Sequence, residues 1–191
     1  MENKSILMSI QPKWVAKILN GEKTIEVRKK FPKDYVGWVY IYCTKGRKSY
    51  LYGDKSVYEG KKETFWCQII EGNGIVPLLN GKVVARFWCD KVETIEYCGM
   101  CYMVGDISNT NRVANQSCLD FADMKRYLGN KNGYAIHISK LEVFDKAKEL
   151  KDFKHWVETW VYSGMDCPPY VDDELVPLYK APQSWCYIEG E

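Results

Sequence analysis

A turn signal followed by a short strand with two unlike faces constrains this chain more than any other stretch. Asn20-Gly21-Glu22-Lys23-Thr24-Ile25-Glu26-Val27-Arg28 opens on Asn-Gly, a pair that stops a helix, and continues with period-two alternation. Side chains alternate across a strand, so Ile25 and Val27 are expected to face a core. Thr24, Glu26 and Arg28 then share the opposite face, and Lys23 stands at the strand entrance just after the turn. A carboxylate between cations on a rigid strand can hold a planar polar ligand. The carboxylate accepts N–H donors, the guanidinium donates to carbonyl or phosphate oxygens, and the lysine adds a point charge. The same order also fits a surface ion pair on a half-exposed strand, which would contribute almost nothing.

The flanking segments frame that stretch. Ser5–Ile10 reads as a first strand bounded by Gln11-Pro12. Pro12 suits a first helical position, and the helix runs to about Asn20. Trp14, Val15, Ile18 and Leu19 recur at helical spacing, with Lys13 and Lys17 on the other face. Trp14 reads as core or as a pocket wall beside the charged strand. Arg28-Lys29-Lys30-Phe31-Pro32-Lys33 is a basic turn that fits either a phosphate contact or a solvated loop. Gly37–Thr44, rich in aromatic and β-branched residues, predicts a strand with Val39, Ile41 and Cys43 toward the core. That assignment leaves Tyr42 and Thr44 free to line a site.

Beyond Thr44 the pattern is looser. In 45–80, a basic turn at Lys45–Lys48 precedes Tyr50, Tyr52, Tyr58, Phe65 and Trp66, interleaved with Lys55, Lys61 and Lys62. Such interleaving fits single-stranded nucleic-acid binding or an insertion whose aromatics pack down on the body. Asn73-Gly74 and Asn80-Gly81 are turn signals, and a hairpin is expected there. Lys82–Ile95 predicts a long strand bent near Asp90, which suits a small barrel. Cys98–Gln116 reads as loop. Cys118–Leu128 reads as a short helix with Ser117 as N-cap and Gly129 as stop. Tyr134–Phe144 predicts a strand in which His137, among apolar residues, is a hydrogen-bonded structural residue rather than a base. Asp145–Tyr179 is expected to hold a second short helix and a long surface loop. Pro182–Ile188 reads as a closing strand. The whole predicts an α+β fold, a small mixed β-barrel with peripheral helices and an inserted aromatic and basic region.

Composition narrows the classes. With 191 residues, 46% hydrophobic and 14% aromatic, the chain supports a core and is not of the disordered type. One domain over residues 1–191 is expected, with insertions at about 45–80 and 145–180. No apolar run reaches spanning length and the first residues lack a secretory pattern, so a cytoplasmic location is expected. The eight cysteines are irregularly spaced and are expected to be reduced thiols, several buried. Cys98-Gly-Met-Cys101 is the one CxxC; a zinc site would need a second pair, so no metal and no cofactor are expected. Residues 1–62 hold 14 Lys and Arg against 6 Asp and Glu, a net +8, while the remainder is −6. A basic first third fits an anionic ligand, nucleic acid above all. Walker, dinucleotide-fingerprint, HExxH and GxSxG patterns are absent, and two histidines leave few candidates for a triad.

The order Gly21-x-Lys23-x-x-Glu26-x-Arg28, after an amphipathic helix that itself follows an apolar strand, resembles the ASCH domain of the PUA-like superfamily. Gly81-Lys82-Val83-Val84-Ala85, Tyr134-Ala135-Ile136-His137-Ile138 and Pro182-Gln183-Ser184-Trp185-Cys186-Tyr187 resemble further strands of phage-type and bacterial members; together the blocks cover roughly half the chain. The resemblance implies an open barrel with a cleft lined by the charged strand, and binding of RNA or a modified nucleobase. It implies that Lys23 and Arg28 hold phosphate or base carbonyls, that Glu26 accepts base N–H donors, and that Trp14, Tyr42 or Trp185 stacks on the base. It also implies an alternative, since one small member is an acetylcytidine amidohydrolase and others are described as ribonucleases; Lys23 and Glu26 would then be catalytic. The amidohydrolase's motif Lys matches Lys23, but its catalytic Thr falls at Glu26. Thr24 lies two residues earlier, and Glu93 and Glu96 are candidates for its distal Glu. A third reading is a phage-accessory domain whose aromatic insertion is a protein interface.

Overall fold

The computed structural model describes residues 4–45, 51–52, 66–67, 79–161 and 170–190. The chain opens with strand β1 (Lys4–Ile10), helix α1 (Pro12–Leu19), β2 (Ile25–Arg28) and β3 (Gly37–Cys43). Short β4 (Leu51–Tyr52) and β5 (Trp66–Cys67) pair with each other, and most of the expected insertion lies outside the described residues. Then come β6 (Val83–Cys89), β7 (Val92–Tyr97), β8 (Tyr102–Met103), α2 (Ile107–Ser117) and α3 (Phe121–Leu128). The chain ends with β9 (Gly133–His137), β10 (Ser139–Lys148), a 3-10 turn (Leu150–Asp152), β11 (Lys154–Val161), β12 (Tyr170–Pro177) and β13 (Trp185–Glu189).

Two sheets carry the α+β fold. The larger has the order β10-β6-β3-β1-β13, with β1 and β3 parallel and the other neighbours antiparallel; the smaller, antiparallel, has the order β2-β9-β7-β8. The chain crosses from one sheet to the other at Asp90–Lys91, between β6 and β7, and again at Ile138, between β9 and β10. The first crossing is the expected bend of the long strand; the second divides the expected strand Tyr134–Phe144 between the two sheets, and together they give an open, barrel-like arrangement. Gly81 turns the chain into β6 with φ +84°, and its N–H reaches the Cys43 carbonyl at 2.7 Å.

Both faces of the larger sheet are buried. Ile6, Met8, Ile10, Val39, Ile41 and Phe87 pack beneath α1, as the alternation predicts. Leu7, Tyr40 and Tyr42, of the opposite parity, and Val83, beyond a register shift in β6, pack against Phe153, Leu178 and Ile188. Tyr42 is therefore 3% exposed in a second core and is not free to line a site. Ile25 and Val27 face a third core with Ile95, Ala135, Val113, Met124 and Leu128.

Three segments differ from the expectation. The stretch read as loop contains β8 and α2, and Ser117 is the buried last residue of that helix rather than an N-cap. Helix α2, ISNTNRVANQS, is rich in residues that compete with helix by bonding the backbone, and it holds few apolar residues. It is fixed instead by Asp106, whose side chain accepts from the Asn109 N–H, and by Cys118 at φ 54°. Helix α3 starts later than expected, with Asp120 as its cap, and stops at Gly129 as expected. In 145–179 the expected short helix is replaced by the end of β10, a 3-10 turn and the antiparallel hairpin β11–β12, pairing Lys154 with Pro177 through Val161 with Tyr170. Cys98 and Cys101 are joined as a disulfide at the β7–β8 turn, whereas Cys43, Cys89, Cys118 and Cys186 are free thiols. Among the described residues no helix is long and apolar enough to cross a membrane.

Gly133, the first residue of β9, sits where a Cβ would lie 2.7 Å from Leu128 Cδ2 and 3.1 Å from the Arg28 carbonyl oxygen. Leu128 is in the core and the carbonyl is main chain, so neither yields freely. Gly133→Ala is expected to lower the unfolding free energy by about 1–3 kcal/mol. Urea denaturation with an unchanged slope and a lower midpoint would show it; an unchanged midpoint would contradict the packing described.

Candidate ligand cleft

A cleft of about 780 Å³ opens where the β1–α1 junction, the start of β2, α3 and the loop before β13 meet. Its floor is the charged strand. Lys23, Glu26 and Arg28 all line it, and all three are buried, at 2%, 6% and 7% exposure. The surface-pair reading of the motif therefore does not hold.

Each charge is fixed by the fold. Lys23 Nζ donates to the Ser117 carbonyl at 2.7 Å, and the Thr24 N–H donates to Gln116 O at 2.9 Å. Those carbonyls belong to the last turn of α2, which lacks intrahelical donors and carries the negative end of the helix dipole. Arg28 Nη2 donates to the Ser9 carbonyl at 2.8 Å, on β1. Glu26 stands between them, with Oε2 3.4 Å from Lys23 Nζ and Oε1 3.2 Å from Arg28 Nε. The angles at these approaches are poor: Glu26 Oε2 and Arg28 Nε make no hydrogen bond with the protein. An unmade hydrogen bond at a buried group costs about 1–3 kcal/mol, so this arrangement favours a guest that completes it.

The walls are aromatic and the rim is cationic. The Trp14 ring lies 5.1 Å from Lys23 Nζ and 4.4 Å from Lys13 Nζ. Tyr127 lies 5.4 Å from Lys29 Nζ, and burial pushes its hydroxyl pKa up. Lys13, Lys29, Lys30 and Arg126 join Lys23 and Arg28, so six cations line the cleft against the carboxylates of Glu26 and Asp123. Asp123 is itself bonded to Arg126 at 2.8 Å.

Of the residues singled out in the sequence, Lys23, Glu26, Arg28, Trp14 and Thr44 come together in the cleft. Tyr42 is on the far face of the larger sheet. Trp185 does not line the cleft; its Nε1 donates to Lys30 O at 2.7 Å and its ring packs edge-on against Phe31, so it braces the basic turn. The Ser9 and Ser117 carbonyls, main-chain groups brought in by tertiary contact, carry no sequence signal. Tyr127 and Arg126 do carry one: with Asp123 they recur at three and four residues on one helix face.

Glu93, a candidate for a distal catalytic carboxylate, is on the other side of the smaller sheet. It pairs with Ala135, which pairs with Val27, so it shares the face of Val27 rather than that of Glu26. Arg112 Nη2 donates to both its oxygens at 2.9 and 2.7 Å, Lys91 Nζ lies 3.0 Å away, and the His137 ring contacts Oε2. His137 thus has the structural partner expected of it. Glu96 is exposed on β7, and neither Glu96 nor Thr24 lines the cleft.

Solved structures similar to this chain include the ASCH protein from Zymomonas mobilis, 14% identical, with 78% of this chain and 76% of that chain covered and a TM-score of 0.48. Two point variants of that protein are 13% and 16% identical, each with a TM-score of 0.47 and with 76% of its own chain covered. Neither a family model nor a curated protein matches the sequence.

Burial alone would raise the Glu93 carboxyl, but the bonds from Arg112, His137 and Lys91 outweigh it and hold the group at about 2, against 4.5 ordinarily. A lowered folded-state value means that Glu93 stabilises the fold fully above the ordinary value and loses that contribution as pH falls toward the folded one. The stability gap between wild type and Glu93→Gln is therefore expected to be widest at neutral pH and to close between about pH 4.5 and 2. Denaturation midpoints across that window measure it, and a pH-independent gap would contradict the assignment.

Proposed function

We propose that the protein binds single-stranded nucleic acid, RNA first, by seating one base in the cleft over Lys23, Glu26 and Arg28. The observation that carries this reading is an acceptor-only carboxylate, Glu26, with a buried unpartnered oxygen, among six cations in a cleft whose other carboxylate, Asp123, is already bonded to Arg126. A simple anion would meet Glu26 and be repelled; a simple cation would meet the rim. A nucleotide has N–H donors at one end and phosphate at the other, which matches both. Trp14 and Tyr127 offer faces on which a base can stack, a contact worth about 1–3 kcal/mol per base. The exposed Lys29 and Lys30 at the mouth suit the phosphates that follow the seated base.

Hydrolysis of a modified nucleoside is less well supported. Glu26 occupies the nucleophile's position, Thr24 does not line the cleft, and Lys23 already donates to a main-chain carbonyl. A cleft with a fixed acceptor and no placed nucleophile favours binding over turnover.

Fluorescence anisotropy with labelled single-stranded RNA at several salt concentrations tests the proposal. Binding is expected to weaken with salt. Lys29→Ala with Lys30→Ala is expected to weaken it on all sequences and to reduce the log–log salt slope by about 1.4, roughly 0.7 per lost phosphate contact. Absence of salt-sensitive binding, or a slope untouched by the double substitution, would contradict it.

A further inference from the structure

The order of the three buried charges says more about the base than their sum does. Glu26 stands in the middle, with one carboxylate oxygen toward Lys23 at 3.4 Å and the other toward Arg28 at 3.2 Å. Each cation is tied from behind by a main-chain carbonyl, Ser117 for Lys23 and Ser9 for Arg28, so neither swings freely. The row therefore reads donor, acceptor, donor. Two of its atoms, Glu26 Oε2 and Arg28 Nε, have no hydrogen-bond partner although both are buried.

We infer that the base taken by this cleft carries an imide edge, C=O–N–H–C=O, as uracil and thymine do. The inference rests on the nucleic-acid reading above and narrows it to one chemical class. The imide N–H donates to Glu26, and its two carbonyls accept from Lys23 and Arg28. Guanine has an N–H flanked by a carbonyl on one side only; on the other its amino group would set N–H against a cation. Cytosine's amino group has an acceptor, N3, on one side alone; adenine's has N1 and N7 on its two sides, but the amino group projects beyond them, the reverse of an imide N–H recessed between two projecting carbonyls. Each mismatch leaves a buried donor or acceptor unpaired, and that penalty discriminates more sharply than any lost apolar contact. Trp14, beside Lys23, is placed to cover a ring lying along this row.

Isothermal titration of the intact protein at low salt with five probes tests this. The probes are the 5′-monophosphates of uridine, cytidine, adenosine, guanosine and 3-methyluridine. The last differs from uridine monophosphate by a methyl group in place of the imide proton. Uridine monophosphate is expected to bind at least about tenfold more tightly than each of the others, 3-methyluridine monophosphate included, since one charge-assisted hydrogen bond separates them. Equal binding of uridine and 3-methyluridine monophosphates, or a cytidine or guanosine monophosphate bound as tightly as uridine, would overturn the imide assignment while leaving nucleotide binding in place. If none of the five binds, the nucleic-acid reading falls, and the imide assignment with it.

Discussion

The Lys23–Glu26–Arg28 triad is the interaction on which the rest depends. Removing three charges from water is expensive, and their mutual attraction offsets that cost only where geometry is good and the remaining donors are satisfied. Here the spare donors are met by main chain from two separate parts of the fold: Lys23 by the end of α2, Arg28 by β1 of the larger sheet. The triad thus ties the smaller sheet to α2 on one side and to the larger sheet on the other. It leaves Glu26 Oε2 and Arg28 Nε buried without a hydrogen bond, on two residues that line the cleft. A purely structural ion triad would be expected to close on itself, because a half-satisfied buried network is worse than an apolar core.

The surrounding fold holds these groups still. The triad's strand pairs through four residues with β9, and β9 pairs with β7, so Glu26 and Arg28 ride on the edge strand of a sheet rather than on a loop. Across the same sheet, Glu93 clamps Arg112 of α2 with two bonds, fixing the helix whose last turn presents Ser117 to Lys23. Trp185 holds the basic turn from outside through the Lys30 carbonyl. Cleft, helix end and rim are therefore parts of one connected arrangement.

Much of this was legible in the sequence. Period-two alternation placed Ile25 and Val27 in a core and Glu26 and Arg28 together, and the bend near Asp90 is the sheet-to-sheet crossing. Tyr42 was misplaced for a physical reason: alternation says which residues share a face, but not that the second face is also covered, here by Phe153, Leu178 and Ile188. Helix α2 was illegible because its Asn, Ser and Thr residues favour caps and turns, and its docking, with Val113 fully buried, is a tertiary effect. Hairpin β11–β12 mixes exposed acidic residues with aromatics, and its strand pairing overrides a weak local signal. The burial of the motif itself could not be read locally, since it comes from tertiary partners, Ser117 at 94 positions from Lys23 and Ser9 at 19 positions from Arg28.

We propose that the triad is a ligand site. Arginine side-chain Nε–H resonances, followed by NMR as uridine monophosphate is added, address it most directly. Arg28 Nε–H is expected to shift strongly, as it gains the partner it lacks, while that of Arg86, already bonded to Glu142 at 2.7 Å, stays in place. Nucleotide binding that leaves the Arg28 signal unmoved would show that the ligand sits elsewhere and that the triad is structural.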